Sequence, residues 1–294
     1  MATEDIQVIG RGDASYPKLL SQIADPPGQL YVRGDAALLD SFCLAVVGTR
    51  KASYYGLQTT ADIAGHLAAC GITVVSGLAS GIDTAAHRAA LNANGRTIAV
   101  FGTGVDDASI FPGDNVGLAH DIIVSGGLLV SEYPAGMHGE QWTFPQRNRI
   151  ISGLSRGVVV IEADRKSGSL ITAKSALDQN RDVFAVPGSI YWPRSVGTNL
   201  LIQQGARPVL SPADILEAYA VRSERLPERA LSTSDPVQES ILALLRERGP
   251  QHLDALAASS GYDASHVMAA VSMLELRDRI SHQGSGIYRI ITPS

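Results

Sequence analysis

Six short apolar runs rich in β-branched residues recur through the middle of the chain: CLAVVG at 43–48, ITVVSG at 72–77, TIAVFG at 97–102, GLLVSE at 127–132, GVVVIEA at 157–163 and DVFAVPG at 182–188. Each is continuous rather than alternating, the pattern of strands covered on both faces. Between them the period changes to three and four. In YGLQTTADIAGHLAACG, Leu57, Ala61, Ala64, Leu67 and Ala68 fall on one helical face, and LITAKSALDQN reads the same way. Strands alternating with helices predict parallel β-α-β units and a doubly wound, mostly parallel α/β sheet.

Near residue 220 the pattern stops. VRSERLPERALSTSDP is polar, lacks periodicity and carries two prolines, so it predicts a linker over 220–236. Beyond it, VQESILALLRERG, HLDALAASSG and DASHVMAAVSMLELRDR predict three short amphipathic helices. ISHQ, a GSG turn and IYRII then predict a hairpin, which makes residues 237–294 a small winged-helix domain. Residues 1–40, with SYPKLL and DPPGQLYVRGD, read as an irregular lead-in on a main domain at 41–219.

Composition narrows the picture. Hydrophobic residues make up 45% and charged residues 18% of the 294, which suits a globular protein with a substantial core. The sequence shows neither an apolar run long enough to span a membrane nor a secretory signal at MATEDIQVIG, so a cytoplasmic protein is expected. Cys43 and Cys70 sit in apolar surroundings and read as buried free thiols, with too few ligands nearby for a zinc site. The net charge of −5 argues against a broadly basic nucleic-acid coat. From Phe144 to Arg181, however, seven basic residues face three acidic ones, so positive charge is concentrated locally.

The strand ends carry the candidate chemistry. VVGTRKAS, VVSGLASGID, VFGTGVD and VIEADRKSGS each run from a strand through Gly or Ser into a helix start. In open α/β sheets such loops form one rim, where ligands bind. Gly48, Thr49, Arg50 and Ser53 combine exposed amides, hydroxyls and a charged fork suited to a phosphate, against the plainer reading of a strand-to-helix turn with a solvated Arg. Gly77 and Gly81 allow close backbone approach, and Lys166, Ser167 and Gly168 open another helix with a phosphate-holding composition. FPQRNR adds Phe144, able to stack on a base, with Arg147, Asn148 and Arg149. There, Ile150, Ile151 and Leu154 are expected to turn inward while the arginines face outward over a groove. At least one arginine is expected on phosphate, with Arg147 and Arg149 both open as candidates and a bracing role open for the other.

Enzyme signatures are sparse. GxxxxGK[ST] is missing, GTGVDD lacks the third glycine of a dinucleotide fingerprint, and GLASG places its Ser outside the nucleophile-elbow position. Neither a carboxylate cluster for a metal nor a cofactor motif stands out. Asp83 and His87, four apart on a helix, could hydrogen-bond and serve as an oriented base. Without a neighbouring nucleophile they read instead as a buried polar pair that positions the loop. Several phosphate grips in series along one sheet edge suit a polymer, held by an electrostatic track with occasional stacking. The alternative is an enzyme on a nucleotide or nucleoside phosphate, using the same rim with Asp83 and His87.

The ordered series VVGTRKASYYG, VVSGLASGIDTAAH, TIAVFGTGVD, SEYPAG, FPQRNRIISGLS, VVVIEADRKSGSLITAKSAL, NRDVFAVPGS and GTNLLIQQGA, over roughly residues 15–212, resembles the bacterial DNA-processing protein A (DprA, also called Smf) family. The resemblance implies an extended Rossmann-like domain that binds single-stranded DNA. It implies protection of incoming DNA in natural transformation, loading of the RecA recombinase, a homodimer and no enzymatic activity. Carried over by motif, it puts Gly48, Thr49 and Arg50, then Ser76, Gly77 and Gly81, then Arg147, Asn148 and Arg149, then Ser167, Gly168 and Thr172, on the DNA. FPGDN, residues 111–115, has Phe111 where the family usually has Tyr, and a basic residue often found nearby is missing. The helical domain that many members carry before SYPKLL is expected to be incomplete here. In the winged helix, Arg246, Arg248, Arg277, Arg279 and Arg289 face Glu239, Glu247, Asp254, Asp263, Glu275 and Asp278. That balance suits a protein-contact or autoregulatory role at least as well as DNA.

Overall fold

The computed structural model describes residues 5–221, 235–276, 279–284 and 286–291. Most of the expected linker, with Arg277 and Asp278, lies outside them. The chain divides into two compact units, Met1–Glu224 and Arg225–Ser294.

In chain order the first unit runs β1 (Gln7–Gly10), α1 (Lys18–Ser21), β2 (Gln29–Gly34), β3 (Cys43–Val47), α2 (Tyr54–Ala69), β4 (Thr73–Ser76), α3 (Ile82–Asn92) and β5 (Thr97–Phe101). It continues α4 (Val116–Val124), β6 (Leu128–Ser131), α5 (Thr143–Leu154), β7 (Gly157–Val160), α6 (Ser169–Asp178), β8 (Asp182–Ala185), α7 (Val196–Gln203), β9 (Arg207–Pro208) and α8 (Pro212–Ala218). All six apolar runs are strands. They join one sheet in the order β1-β2-β6-β5-β4-β3-β7-β8-β9, parallel from β6 to β9.

A continuous apolar run is needed because each strand feeds two cores. Cys43, Ala45 and Val47 of β3 face one layer with Leu20, Ile150, Ile151, Leu154 and Ala173, from the α1, α5 and α6 side. Leu44 and Val46 face the other, with Ile63, Leu67, Ile82, Ala86 and Ile215, from α2, α3 and α8. Burying apolar side chains on both faces is what commits the strands to the centre of a three-layer domain.

The lead-in is more regular than its sequence suggests. β2 pairs antiparallel with β6, and β1 pairs antiparallel with β2, extending the sheet by two strands. Alternation within QLYVRG explains it: Leu30 and Val32 are buried while Gln29 is exposed and Tyr31 and Arg33 are partly so. Cys43 is buried as expected, whereas Cys70 at the end of α2 is only half-buried.

The second unit has α9 (Pro236–Arg248), β10 (Gln251–His252), α10 (Leu253–Ser260), α11 (Ala264–Leu276), β11 (Ile280–His282) and β12 (Ile287–Ile290). β12 lies between β10 and β11 in an antiparallel sheet. Val237, Ile241, Leu245, Leu256, Val267, Val271 and Leu274 form its own core. Asp235 caps α9 by accepting from Val237 N at 3.0 Å, and Gly261 ends α10 in the left-handed conformation, with φ 77°. Among the described residues no helix is long and apolar enough to cross a membrane.

Candidate nucleic-acid interface

Strands β5, β4, β3 and β7 are adjacent and parallel, so the loops that follow them meet along one edge. Chain order reverses between β3 and β7, the position where doubly wound sheets open a crevice. A cleft of about 710 Å³ lies there. Its wall includes Gly48, Thr49, Arg50 and Lys51 from the β3 loop and Asp164, Ser167 and Gly168 from the β7 loop. Phe144, Arg147, Asn148 and Thr172 complete it from α5 and α6, with Phe111 from the loop after β5.

Arg50 is exposed, and its guanidinium lies over the Phe144 ring, 5.7 Å from the centroid. The Phe111 and Phe144 rings are 5.7 Å apart, tilted by 49°. A charged fork thus stands beside an aromatic pair at the cleft mouth. The backbone beneath is tightly held: Thr49 N donates to the Glu162 carbonyl at 2.8 Å, and Ile82 N donates to the Thr49 carbonyl at 3.3 Å. Gly81, with φ 84°, passes so close that a Cβ would lie 2.5 Å from the Thr49 carbonyl oxygen and 2.6 Å from that of Arg50. The glycine therefore lets this loop meet its neighbour.

Several of the expected ligand residues are engaged inside the protein. FPQRNR is the first part of α5 rather than a loop, and Arg147 is only 5% exposed. Its Nη1 donates to the carbonyls of Gly77, at 2.7 Å, and Val100. A Cβ on Gly77 would lie 2.6 Å from both terminal guanidinium nitrogens, so Gly77 makes room for this arginine. Gly77 N donates to Asp83 Oδ2 at 3.1 Å. Burial raises the Asp83 carboxyl above its ordinary value, opposed by the Arg147 charge and by backbone amides. Burial lowers the Arg147 guanidinium to about 10, opposed by Asp83. Arg149 is also engaged internally, pairing with Asp25 at 3.0 Å and Glu132 at 2.7 Å. The outward-facing placement of Arg147 and Arg149 is thus corrected. Arg147, Ile151 and Leu154 share one face of α5 at spacings of four and three, and that spacing already carried the signal.

Ser53 and Ser76 are structural as well. Ser53 caps α2, accepting from Gly56 N at 3.0 Å, and its hydroxyl donates to Glu162 Oε1. Ser76 is buried in β4 and donates to the Val46 carbonyl at 2.7 Å. Lys166 is exposed in the β7 turn, outside the cleft wall, with its N–H donating to Asp164 Oδ1 at 2.8 Å. Asn148 Nδ2 donates to the Gly168 carbonyl at 3.3 Å, joining two walls. Lys51 and Phe111 are wall residues that the motif reading passed over. Lys51 directly follows Arg50, and Phe111 heads the FPGDN segment already noted for its aromatic exchange.

Asp83 and His87 do not form a catalytic pair. His87 is fully buried, and its Nδ1 meets Thr97 Oγ1 at 2.7 Å. Burial, with Arg147 adding to it, lowers its pKa to about 3. A histidine depressed in the folded state contributes stability that is full above the unfolded value, about 6.5, and lost as pH falls toward the folded one. His87→Leu is expected to flatten the acid side of the stability profile by up to about 1.4 kcal/mol per pH unit in that window. Urea unfolding between pH 7.5 and 5 measures it, and identical slopes for variant and wild type would contradict the assignment.

Comparison with known proteins agrees with this architecture. The family described as DNA recombination-mediator protein A matches residues 7–220, and the DprA winged helix domain matches residues 225–286. The chain is 42% identical over 282 residues to Protein Smf of Escherichia coli (strain K12), covering 94% of this chain and 75% of that protein. It is 43% identical over 234 residues to the DNA processing protein DprA of Bacillus subtilis (strain 168), covering 79% and 75%. The crystal structure of Streptococcus pneumoniae DprA aligns with TM-score 0.68 at 44% identity, covering 73% of this chain and 74% of that one. A Helicobacter pylori DNA processing protein A, solved to study its single-stranded DNA binding mode, aligns with TM-score 0.65 at 31% identity, covering 74% and 96%. By its ordered loop motifs, its sheet and these matches, the chain belongs to the DNA recombination-mediator protein A family.

Proposed function

We propose that this chain holds single-stranded DNA in the cleft between the β3 and β7 loops, without reading its sequence. One observation carries the reading: Arg50 stands free beside the Phe111–Phe144 pair, at the mouth of a cleft lined by glycine and hydroxyl residues. Arginine grips a phosphate while an aromatic face accepts any base, and together they bind a strand irrespective of sequence. Gly48, Thr49, Ser167, Gly168 and Thr172 supply the remaining wall, with Lys166 beside it. The helicobacterial relative's single-stranded DNA binding mode supports the same partner here.

Family membership supports a wider role. The protein protects incoming DNA and passes it to the RecA recombinase during natural transformation and recombination. It works as a cytoplasmic homodimer and as a binding protein rather than an enzyme, with the winged helix of residues 237–294 serving protein contact or autoregulation. A nucleotide-processing alternative would need His87 as a base, and that side chain has no access to the cleft.

Fluorescence anisotropy with an oligothymidylate and an equal-length duplex at two salt concentrations tests the reading. Single strands are expected to bind more tightly. Arg50→Ala is expected to weaken binding roughly tenfold, as a charge-assisted contact is worth about 1.5–3 kcal/mol. The same change should flatten the salt slope by about 0.7. Wild-type binding by Arg50→Ala at both salt concentrations would place the strand elsewhere.

A further inference from the structure

The same edge of the sheet carries aromatic side chains that the fold does not use. In the loop after β8, Tyr191 is 89% and Trp192 50% exposed, and Tyr54 and Tyr55 at the start of α2 are 65% and 49% exposed. Tyr55 donates its hydroxyl to the Pro187 carbonyl at 3.2 Å, which ties the start of α2 to the loop that carries Tyr191 and Trp192. The patch adjoins the cleft. Ala163 N donates to the Arg194 carbonyl at 2.8 Å, Gly197 N donates to the Ala163 carbonyl at 2.8 Å, and the next residue, Asp164, lines the cleft. Single exposed aromatics are ordinary, but a cluster beside a binding groove marks an interaction surface.

We infer that the strand leaving the cleft crosses the β7 loop and stacks its bases on Tyr191 and Trp192, a second stacking station that rests on the single-stranded DNA reading above. The order of groups along the edge supports it. Phe111 and Phe144 stand at β5, Arg50 and Lys51 at β3, Arg165 and Lys166 at β7, and Tyr191 and Trp192 beyond β8. Aromatic faces thus flank a basic stretch, the combination that holds a charged backbone and its bases together. Four strand spacings separate β5 from β8, roughly 20 Å. That distance fits the roughly 4–16 nucleotides that a single-strand-binding fold covers. A second copy of the chain is a poorer occupant. A twofold contact through this patch would bring the exposed basic stretch of Lys51, Arg165 and Lys166 near the same stretch of the second copy, whereas a polyanion is attracted to it.

The chain has two tryptophans, so a Trp142→Phe background leaves Trp192 as the only indole. In that background the Trp192 fluorescence is expected to be quenched by an oligothymidylate of about 16 nucleotides. In the otherwise wild-type chain, Tyr191→Ala/Trp192→Ala is expected to lose about tenfold in affinity for the long oligonucleotide and nothing for a dinucleotide, which is too short to reach from the cleft to the station. Both residues are exposed, so the double variant folds. Unquenched Trp192 and wild-type affinity in the double variant, with Arg50→Ala still impaired, would overturn the station and leave the cleft reading intact. Wild-type affinity in Arg50→Ala and in the double variant would overturn both.

Discussion

Arg147→Ala is expected to cost about 3–5 kcal/mol of folding stability, because it strips the partner from a buried carboxylate. For a unit of this size that corresponds to a Tm lower by roughly 10 °C. Arg147 is buried under the loops, donating to the Gly77 and Val100 carbonyls with its charge opposite that of Asp83. Removing it takes a charged donor from those carbonyls and the counter-charge from Asp83. Asp83 is already raised by burial, and losing Arg147 raises it further. A carboxyl raised in the folded state holds its proton more tightly there than in the unfolded chain, so stability falls as pH rises through the folded value. The deficit should therefore be larger at pH 8 than at pH 5. Asp83→Asn in the same chain should recover about 0.5–3 kcal/mol as coupling between the two sites. Thermal unfolding of the two single variants and the double variant measures this. Additive losses would show that the two charges do not interact.

Gly81→Ala is expected to damage both stability and DNA binding. At φ 84° and ψ −123° the backbone occupies a region that only glycine enters readily. The added Cβ would also press on the carbonyl oxygens of Thr49 and Arg50. Strain and overlap together are worth roughly 2–4 kcal/mol. Relief requires moving the β3 loop, so affinity for an oligothymidylate should fall at least as far as in Arg50→Ala. Gly168 is the control, because it is right-handed and a Cβ there meets nothing within 4 Å. Gly168→Ala should keep wild-type stability or gain about 0.4–1 kcal/mol. Equal melting temperatures for Gly81→Ala and wild type would show that the loop tolerates displacement.

Much of the fold was legible because its signal is local. GVVV in β7 and CLAVV in β3 must be covered on both faces wherever they lie, and a glycine or serine near most strand ends marks where the rim begins. The winged-helix elements were legible for the same reason, from period and turn residues. β1 and β2 were not, because the QLYVRG segment is short, sits among proline and glycine, and earns its place only by pairing with β6 a hundred residues on.

The candidate site divides along the same physical line. Residue type and adjacency along the chain were enough to bring the GTRKAS, SGLASGID and ADRKSGS loops to one edge, since parallel strands end on the same side. Which of their charged groups face out was a tertiary matter. Arg147 and Arg50 carry the same guanidinium, but Arg147 reaches carbonyls 47 and 70 positions away while Arg50 is exposed and lies over the Phe144 ring. A buried arginine is held by partners distant in sequence, and composition records neither their distance nor their direction. The sequence alone therefore determined the sheet, the rim and the stock of donors. Only the packing of α5 onto β4 and β5 decided that Arg147 supports the rim from beneath while Arg50 stays exposed at the cleft mouth.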